Sequence, residues 1–198
     1  MPENMSEKRK ELIKNYGAEL ILTSEKDGMR GSIEKTKELL KNTSDLYYTN
    51  QFSNYASVLA HKLSTAPEIY RQLNGKVDIL IMGIGTGATL MGIAEYFKHI
   101  NRQTQIIGML PKQYPHSIQG IGAGFKPPLL DYSVIDRIIM VNDLEAFSEK
   151  DDILKTENLF VGISSGAVLA GLKKLLQDED CSQKNIVVIF ADGGERYI

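Results

Sequence analysis

Little in this chain of 198 residues can build a covalent or metal framework. There is one cysteine, Cys181, so no disulfide can close within it, as in a reducing compartment. Cys181 lies in Asp178–Lys184, which reads as an acidic surface turn and a poor place for a nucleophile. The three histidines, His61, His99 and His116, are far apart and lack metal-ligand spacing. His61 and His99 read as helix-surface residues, and His116 falls in a loop. Neither sign of charge is in excess. A net charge of -2 leaves no basic footprint for nucleic acid or an anionic membrane. No apolar run approaches a membrane span and no signal-peptide pattern opens the chain, so a cytoplasmic location is expected. Repeats, low-complexity tracts and linkers are absent. What remains, 42% hydrophobic and 24% charged, is enough to bury one good core.

The centre of the chain is Ile79 to Gly92. A strand-like apolar run meets Gly85-Thr86-Gly87-Ala88-Thr89, and a helical pattern follows at once. Gly85 and Gly87 let backbone N–H groups approach a ligand, and Thr86 and Thr89 add hydroxyls. The positive end of the next helix points at the same place, so the stretch reads as a phosphate cup. A dinucleotide is disfavoured. Gly83, Gly85 and Ala88 fit its glycine fingerprint, but no carboxylate ends the next apolar run, Gln105–Leu110. A P-loop is excluded, because no Gly-Lys-Ser/Thr follows the turn. A phosphate on a smaller cofactor fits best.

Around this centre, strands and helices alternate, which predicts an α/β fold: a mostly parallel sheet with helices on both faces. Ser6 is placed to cap a first helix that Gly17 ends. Glu19–Leu22 reads as a short strand, Gly28–Asn42 as a helix and Leu46–Thr49 as another strand. Gln51 and Asn54 follow at that strand's carboxyl end, where either ligand contact or loop and cap duty would suit them. Ser53–Leu63 is helical. Thr65-Ala66-Pro67-Glu68 reads as a capping box that opens a separate helix to Leu73. Strands are expected over Val77–Met82, Gln105–Leu110, Ile135–Val141 and Asn185–Phe190. Between the second and third lies a long glycine-bearing loop, Pro111–Asp131, of the kind that usually serves function. Asn142-Asp143 caps a helix to Glu157, with Asn158 as its left-handed C-cap. Phe160-Val161 then leads into Gly162-Ile163-Ser164-Ser165-Gly166 and a helix, a second strand–turn–helix with hydroxyls at the turn.

The order of several motifs carries a resemblance. Met1–Ser6, Tyr16–Leu20, Gly85–Thr89, Ile118–Phe125, Gly162–Ala167 and Gly194–Tyr197 occur together as they do in cysteine synthases, the O-acetylserine sulfhydrylases. These are pyridoxal-phosphate enzymes of the cystathionine β-synthase family, and the resemblance spans essentially the whole chain. It implies fold type II with the cofactor between two domains. Residues 1–45 would be the remnant of the smaller domain, and 46–198 the larger, phosphate-binding one. It also implies β-replacement on O-acetylserine: acetate leaves and sulfide adds to give cysteine. By motif, Gly85, Thr86, Gly87, Ala88 and Thr89 would hold the phosphate of pyridoxal 5'-phosphate. Ser164 would face the pyridine nitrogen, where a hydroxyl makes a milder electron sink than a carboxylate. Gln51 would hold the substrate carboxylate, with Gly120 and Gly122 at the site mouth. A homodimer, and docking of the C-terminus of serine acetyltransferase, are implied as partners.

The family's Schiff-base lysine, in a Ser-x-Lys-Asp-Arg type motif, and its Thr-Ser-Gly-Asn-Thr-Gly type substrate loop occur nowhere in these residues. The expectation is a chain recorded without an N-terminal segment, with no catalytic lysine and no activity alone. Lys112 and Lys126, on the long loop, are poor substitutes, because a nucleophilic amine must be desolvated and aimed. Departures such as Asn54-Tyr55-Ala56-Ser57 for the family's Asn-Pro-Ala-Asn, and Ala88 for a glycine, bear on substrate detail. A non-catalytic paralogue that binds a phosphate ligand or a serine acetyltransferase-like partner is the alternative.

Overall fold

The central apolar run is buried on both sides because helices cover both faces of a parallel sheet. The structure, a computed structural model, describes residues 1–197; Ile198 lies outside the described residues. Four strands, β1 (Ile79–Gly83), β2 (Gln105–Pro111), β3 (Arg137–Val141) and β4 (Ile186–Val188), lie in the order β3-β2-β1-β4, all parallel. Side chains alternate across a strand, so β1 divides its residues between two cores. Leu80 and Met82 face one; Ile79 and Ile81 face the other.

The first core packs under α3 (Ala56–Ala60), α4 (Ala66–Gln72) and α5 (Ala88–Ile100), with Val58, Ile69, Leu90, Ile93 and Phe97 buried. The second packs under α6 (Asp143–Glu157) and α7 (Ile163–Asp178), with Ala146, Ala167, Val168 and Leu175 buried. Each fully buried aliphatic side chain is worth about 1.5–3 kcal/mol, against about 0–1 for an exposed ion pair such as Lys35–Glu38. The two cores therefore hold the fold. Carboxylates set the starts of strands: Asp78 Oδ2 accepts from Asn185 N–H at 2.7 Å, and Asp136 Oδ2 from Ile106 N–H at 2.7 Å.

The expected α/β architecture is present, and α2 (Gly28–Asn42) has the expected bounds. The capping box on α6 is complete: Asn142 Oδ1 accepts from Glu145 N–H, Glu145 Oε2 accepts from Asn142 N–H, and Asn158 is left-handed. Five local expectations fail. Glu19–Leu22 and Leu46–Thr49 form no strand, because no neighbouring strand lies beside them among the described residues; a single bridge, Pro2 to Thr23, falls just after the first segment. Phe160-Val161 likewise makes one antiparallel bridge, Val161 to Gly193, rather than a strand. Ser6 stands at the N-cap of α1 (Glu7–Asn15), but its hydroxyl donates to the Arg196 carbonyl at 3.1 Å instead of capping.

The fifth failure is Thr65. It opens no helix, since α3 runs through a π-helical turn, His61–Thr65, directly into α4. Pro67 has no N–H to give, and the wider turn beside it absorbs that loss within one continuous helix. Cys181 is also misplaced by the sequence reading. It is buried in the second core, not exposed on an acidic turn.

Candidate functional site

The Gly85–Thr89 turn leaves the carboxyl end of β1, where open parallel sheets bind ligands. Gly87 (φ 86°) is the N-cap of α5, a left-handed conformation that glycine adopts without strain. A Cβ on Gly85 would collide with the Gly120 carbonyl oxygen, so the long loop lies directly against the turn. That loop is stitched to the sheet by Gly122 N–H donating to the Ile84 carbonyl at 2.9 Å. Thr86 Oγ1 accepts from Ala88 N–H at 3.3 Å. Among the described residues, no protein acceptor takes the N–H groups of Gly85, Thr86 or Gly87. They are free donors at a helix N-terminus, the combination that binds an anion.

Ser164 is brought to the same place. It is buried in the first turn of α7, and its residue lines a cavity of about 300 Å³ with Gly85, Thr86, Gly87, Ala88 and Thr89. The N-termini of α5 and α7 thus border one cavity, and both favour negative charge. Gly120 borders it as well, and then lines a second cavity of about 360 Å³ with Gln51 and Gly122. The two spaces share Gly85, Thr86, Gly120 and Ile121, so all nine expected cofactor and substrate residues gather around adjoining space. Asn54 takes the other role open to it: Oδ1 accepts from Ala56 N–H at 3.0 Å, and Nδ2 donates to the Thr49 carbonyl at 3.1 Å.

His116 Nε2 lies 2.8 Å from the Gly122 carbonyl oxygen, and the residue lines the second cavity. Lys112 and Lys126 are exposed, and Lys126 Nζ sits 4.9 Å from the Tyr132 ring centre. Neither is the desolvated amine that nucleophilic chemistry requires.

His61 corrects the sequence reading. It is no helix-surface residue: half-buried in the π-helical turn, it has Nδ1 2.9 Å from Thr65 Oγ1 and Nε2 3.1 Å from Thr89 Oγ1. Burial lowers its pKa below the ordinary 6.5. Asp192 is a second residue the sequence reading passed over. It lines the cavity with Ser164, and its Oδ2 accepts from the Tyr197 phenol at 2.5 Å. Burial, then that carboxylate, pushes the phenol up to about 12. No local pattern marks His61; the adjacent Gly194–Tyr197 motif was the available pointer to Asp192.

A parallel α/β sheet with free N–H donors at the carboxyl end of β1 is the arrangement of the class of α/β proteins that bind phosphorylated ligands. The family model for the pyridoxal-phosphate dependent enzymes matches residues 1–192, and the chain belongs to that family. It is 41% identical over 216 aligned positions to cysteine synthase of Buchnera aphidicola (subsp. Acyrthosiphon pisum), covering all of this chain and 69% of that protein. It is 40% identical to cysteine synthase A of Escherichia coli K12, covering all of this chain and 67% of that one.

Among solved structures, cysteine synthase from Entamoeba histolytica superposes with a TM-score of 0.89 at 38% identity, and a hydrogen sulfide-producing enzyme from Fusobacterium nucleatum with 0.95 at 34%. All of this chain is covered in both, with 61% and 70% of the respective structures. The chain therefore spans about two thirds of the length of these relatives. Among the described residues, no helix is long and apolar enough to cross a membrane.

Proposed function

We propose that this chain is the cofactor-phosphate-binding part of a cysteine synthase-type enzyme, one that replaces the acetate of O-acetylserine with sulfide to give cysteine. The observation that carries the reading is the convergence of free N–H groups, threonine hydroxyls and two helix N-termini on one cavity. The residues present fit pyridoxal 5'-phosphate. The cup is matched to an anion, and its glycine cradle has room for no extra methyl at Gly85. When bound, the cofactor supplies an electron sink for charge developing on the amino acid.

Around it, Gly85, Thr86, Gly87, Ala88 and Thr89 hold the phosphate and so fix the ring's position, and Ser164 presents a hydroxyl to the ring. Gln51, with the Gly120–Gly122 backbone, binds and orients the substrate carboxylate in the second cavity. The assignment of residues 1–45 to the smaller domain and 46–198 to the larger is part of the same reading, supported by a sheet confined to Ile79–Val188. A homodimer, docking of a serine acetyltransferase C-terminus and a cytoplasmic setting go with it and rest on the family likeness.

The test is a calorimetric titration of the chain with pyridoxal 5'-phosphate and with pyridoxal. Two charge-assisted hydrogen bonds predict about 100-fold or greater preference for the phosphorylated form. Equal affinity for both overturns the cup. In an assay with O-acetylserine and sulfide, the chain alone makes no cysteine, and a polypeptide carrying the lysine motif restores production. Phosphate-dependent binding without restored production favours the non-catalytic, phosphate-binding alternative.

A further inference from the structure

A third cavity, of about 320 Å³, lies past the carboxyl ends of β1 and β2 and takes no part in the cofactor reading. Its lining is one-sided in charge. Lys112 and Lys126 border it, and among the described residues no carboxylate does. Neither lysine forms an ion pair among the described residues. The carboxylates that feel their charge are engaged elsewhere. Glu145 Oε2 pairs with Lys174 at 2.8 Å, and Asp131 Oδ1 accepts from Ser133 N–H at 2.9 Å.

The backbone adds donors at the same place. Ala123, Gly124 and Phe125 are successive residues that line the cavity, and their N–H groups have no protein acceptor among the described residues. Gly124 is left-handed (φ 78°), and Ala123 before it is not. A change of hand between neighbours turns successive N–H groups to one side, which is how a backbone builds an anion-binding hollow. A Cβ on Gly124 would collide with the Tyr114 ring, so a flat aromatic wall lies directly against this stretch. Tyr132 is a second such wall, with Lys126 Nζ 4.9 Å from its ring centre.

Two unpaired ammonium groups, three free N–H groups and aromatic walls match a ligand with two negative groups on a flat body. We propose that this cavity binds a small aromatic or unsaturated dicarboxylate, at a site separate from the phosphate cup. The lysines stand on separate segments, Lys112 just past β2 and Lys126 on the long loop. That spread suits two carboxylates better than one compact phosphate. Lysine meets each as a point charge, and the ring walls take the body between them. Tyr114, His116, Gly122 and Ala123 also line the substrate cavity, so the two spaces share a wall.

The test is a ¹⁵N–¹H titration of the whole chain with isophthalate, a flat dicarboxylate, and with benzoate, its single-charge counterpart. The amides of Ala123, Gly124 and Phe125 should follow one binding curve, with isophthalate about 5-fold or more tighter than benzoate. Lys112→Met and Lys126→Met should each weaken isophthalate about 2- to 5-fold, the effect of one exposed ion pair, at unchanged melting temperature. Equal affinity for the two compounds, shifts scattered over the surface without these three amides, or undiminished affinity in the double variant overturns the site. Pyridoxal 5'-phosphate should bind both variants as it binds the unsubstituted chain, since neither lysine lines the cup. Its loss in the variants would overturn the separateness of the two sites.

Discussion

His61 Nε2 lies 3.1 Å from Thr89 Oγ1, which joins a π-helical turn on one side of the sheet to the phosphate cup. A phosphate dianion only accepts hydrogen bonds, so Thr89 must donate its hydroxyl proton to it. The His61 Nε2–H is then the donor to Thr89 Oγ1, and Nδ1 accepts from Thr65. The tautomer follows from the ligand's chemistry. His61→Ala should weaken pyridoxal 5'-phosphate binding about 5- to 10-fold, the effect of one hydrogen bond, and leave binding of unphosphorylated pyridoxal unchanged. Paired titrations check this.

The same histidine predicts a pH effect on stability. Its folded pKa is lowered by burial, so the neutral form is favoured in the fold. Its contribution is fully present above the unfolded value of about 6.5 and is lost as pH falls through the folded pKa. The melting temperature should drop between pH 7.5 and 5.5, and His61→Gln should reduce the size of that drop. An equal drop in both proteins would contradict the assignment.

Gly85→Ala places a methyl against the Gly120 carbonyl, which is backbone and cannot rotate away. Overpacking of this kind costs about 1–3 kcal/mol. The denaturation midpoint should fall by that amount, and phosphate-dependent binding should fall at least 10-fold. Ala88 shows that the next-but-two position tolerates a methyl, so the sensitivity belongs to the place where the loop crosses the turn.

The capping box on α6 gives a stability prediction outside the site. Asn142→Ala removes the acceptor for Glu145 N–H. Loss of a cap costs about 1 kcal/mol, readable as a shift in the urea midpoint at constant slope. Cofactor binding should not change.

The first helix is tied to the site by polar contacts rather than by a sheet. Arg9 Nη1 reaches Gln119 Oε1 at 3.3 Å, and the guanidinium lies 5.6 Å from the Tyr197 ring centre. Surface contacts of this kind are worth about 1 kcal/mol each or less. Arg9→Ala should therefore raise amide exchange in Glu7–Asn15 and leave exchange in β1 and β2 unchanged. Equal protection of α1 in both proteins would show that other contacts anchor it.

Much of this protein is written locally. The Ile79–Gly83 apolar run, the Gly85–Thr89 turn and the periodicity of Ala88–Ile100 specify strand, cup and helix without reference to distant residues. Asn142 and Glu145 mark α6, and Gly162 to Gly166 mark the start of α7. These signals are legible because caps, turns and side-chain alternation act within a few residues. Leu46–Thr49 shows where that ends: its residues suit a strand, but a strand exists only where another supplies its hydrogen bonds. Tertiary packing alone set His61 against Thr89, 28 residues away, and a continuous helix through Thr65. It also brought Asp192 to Gly162, 30 residues away. Sequence determined which segments have the character of an anion site; tertiary packing brought the N-termini of α5 and α7 to one cavity, because side-chain meetings across elements depend on packing geometry that no short stretch encodes.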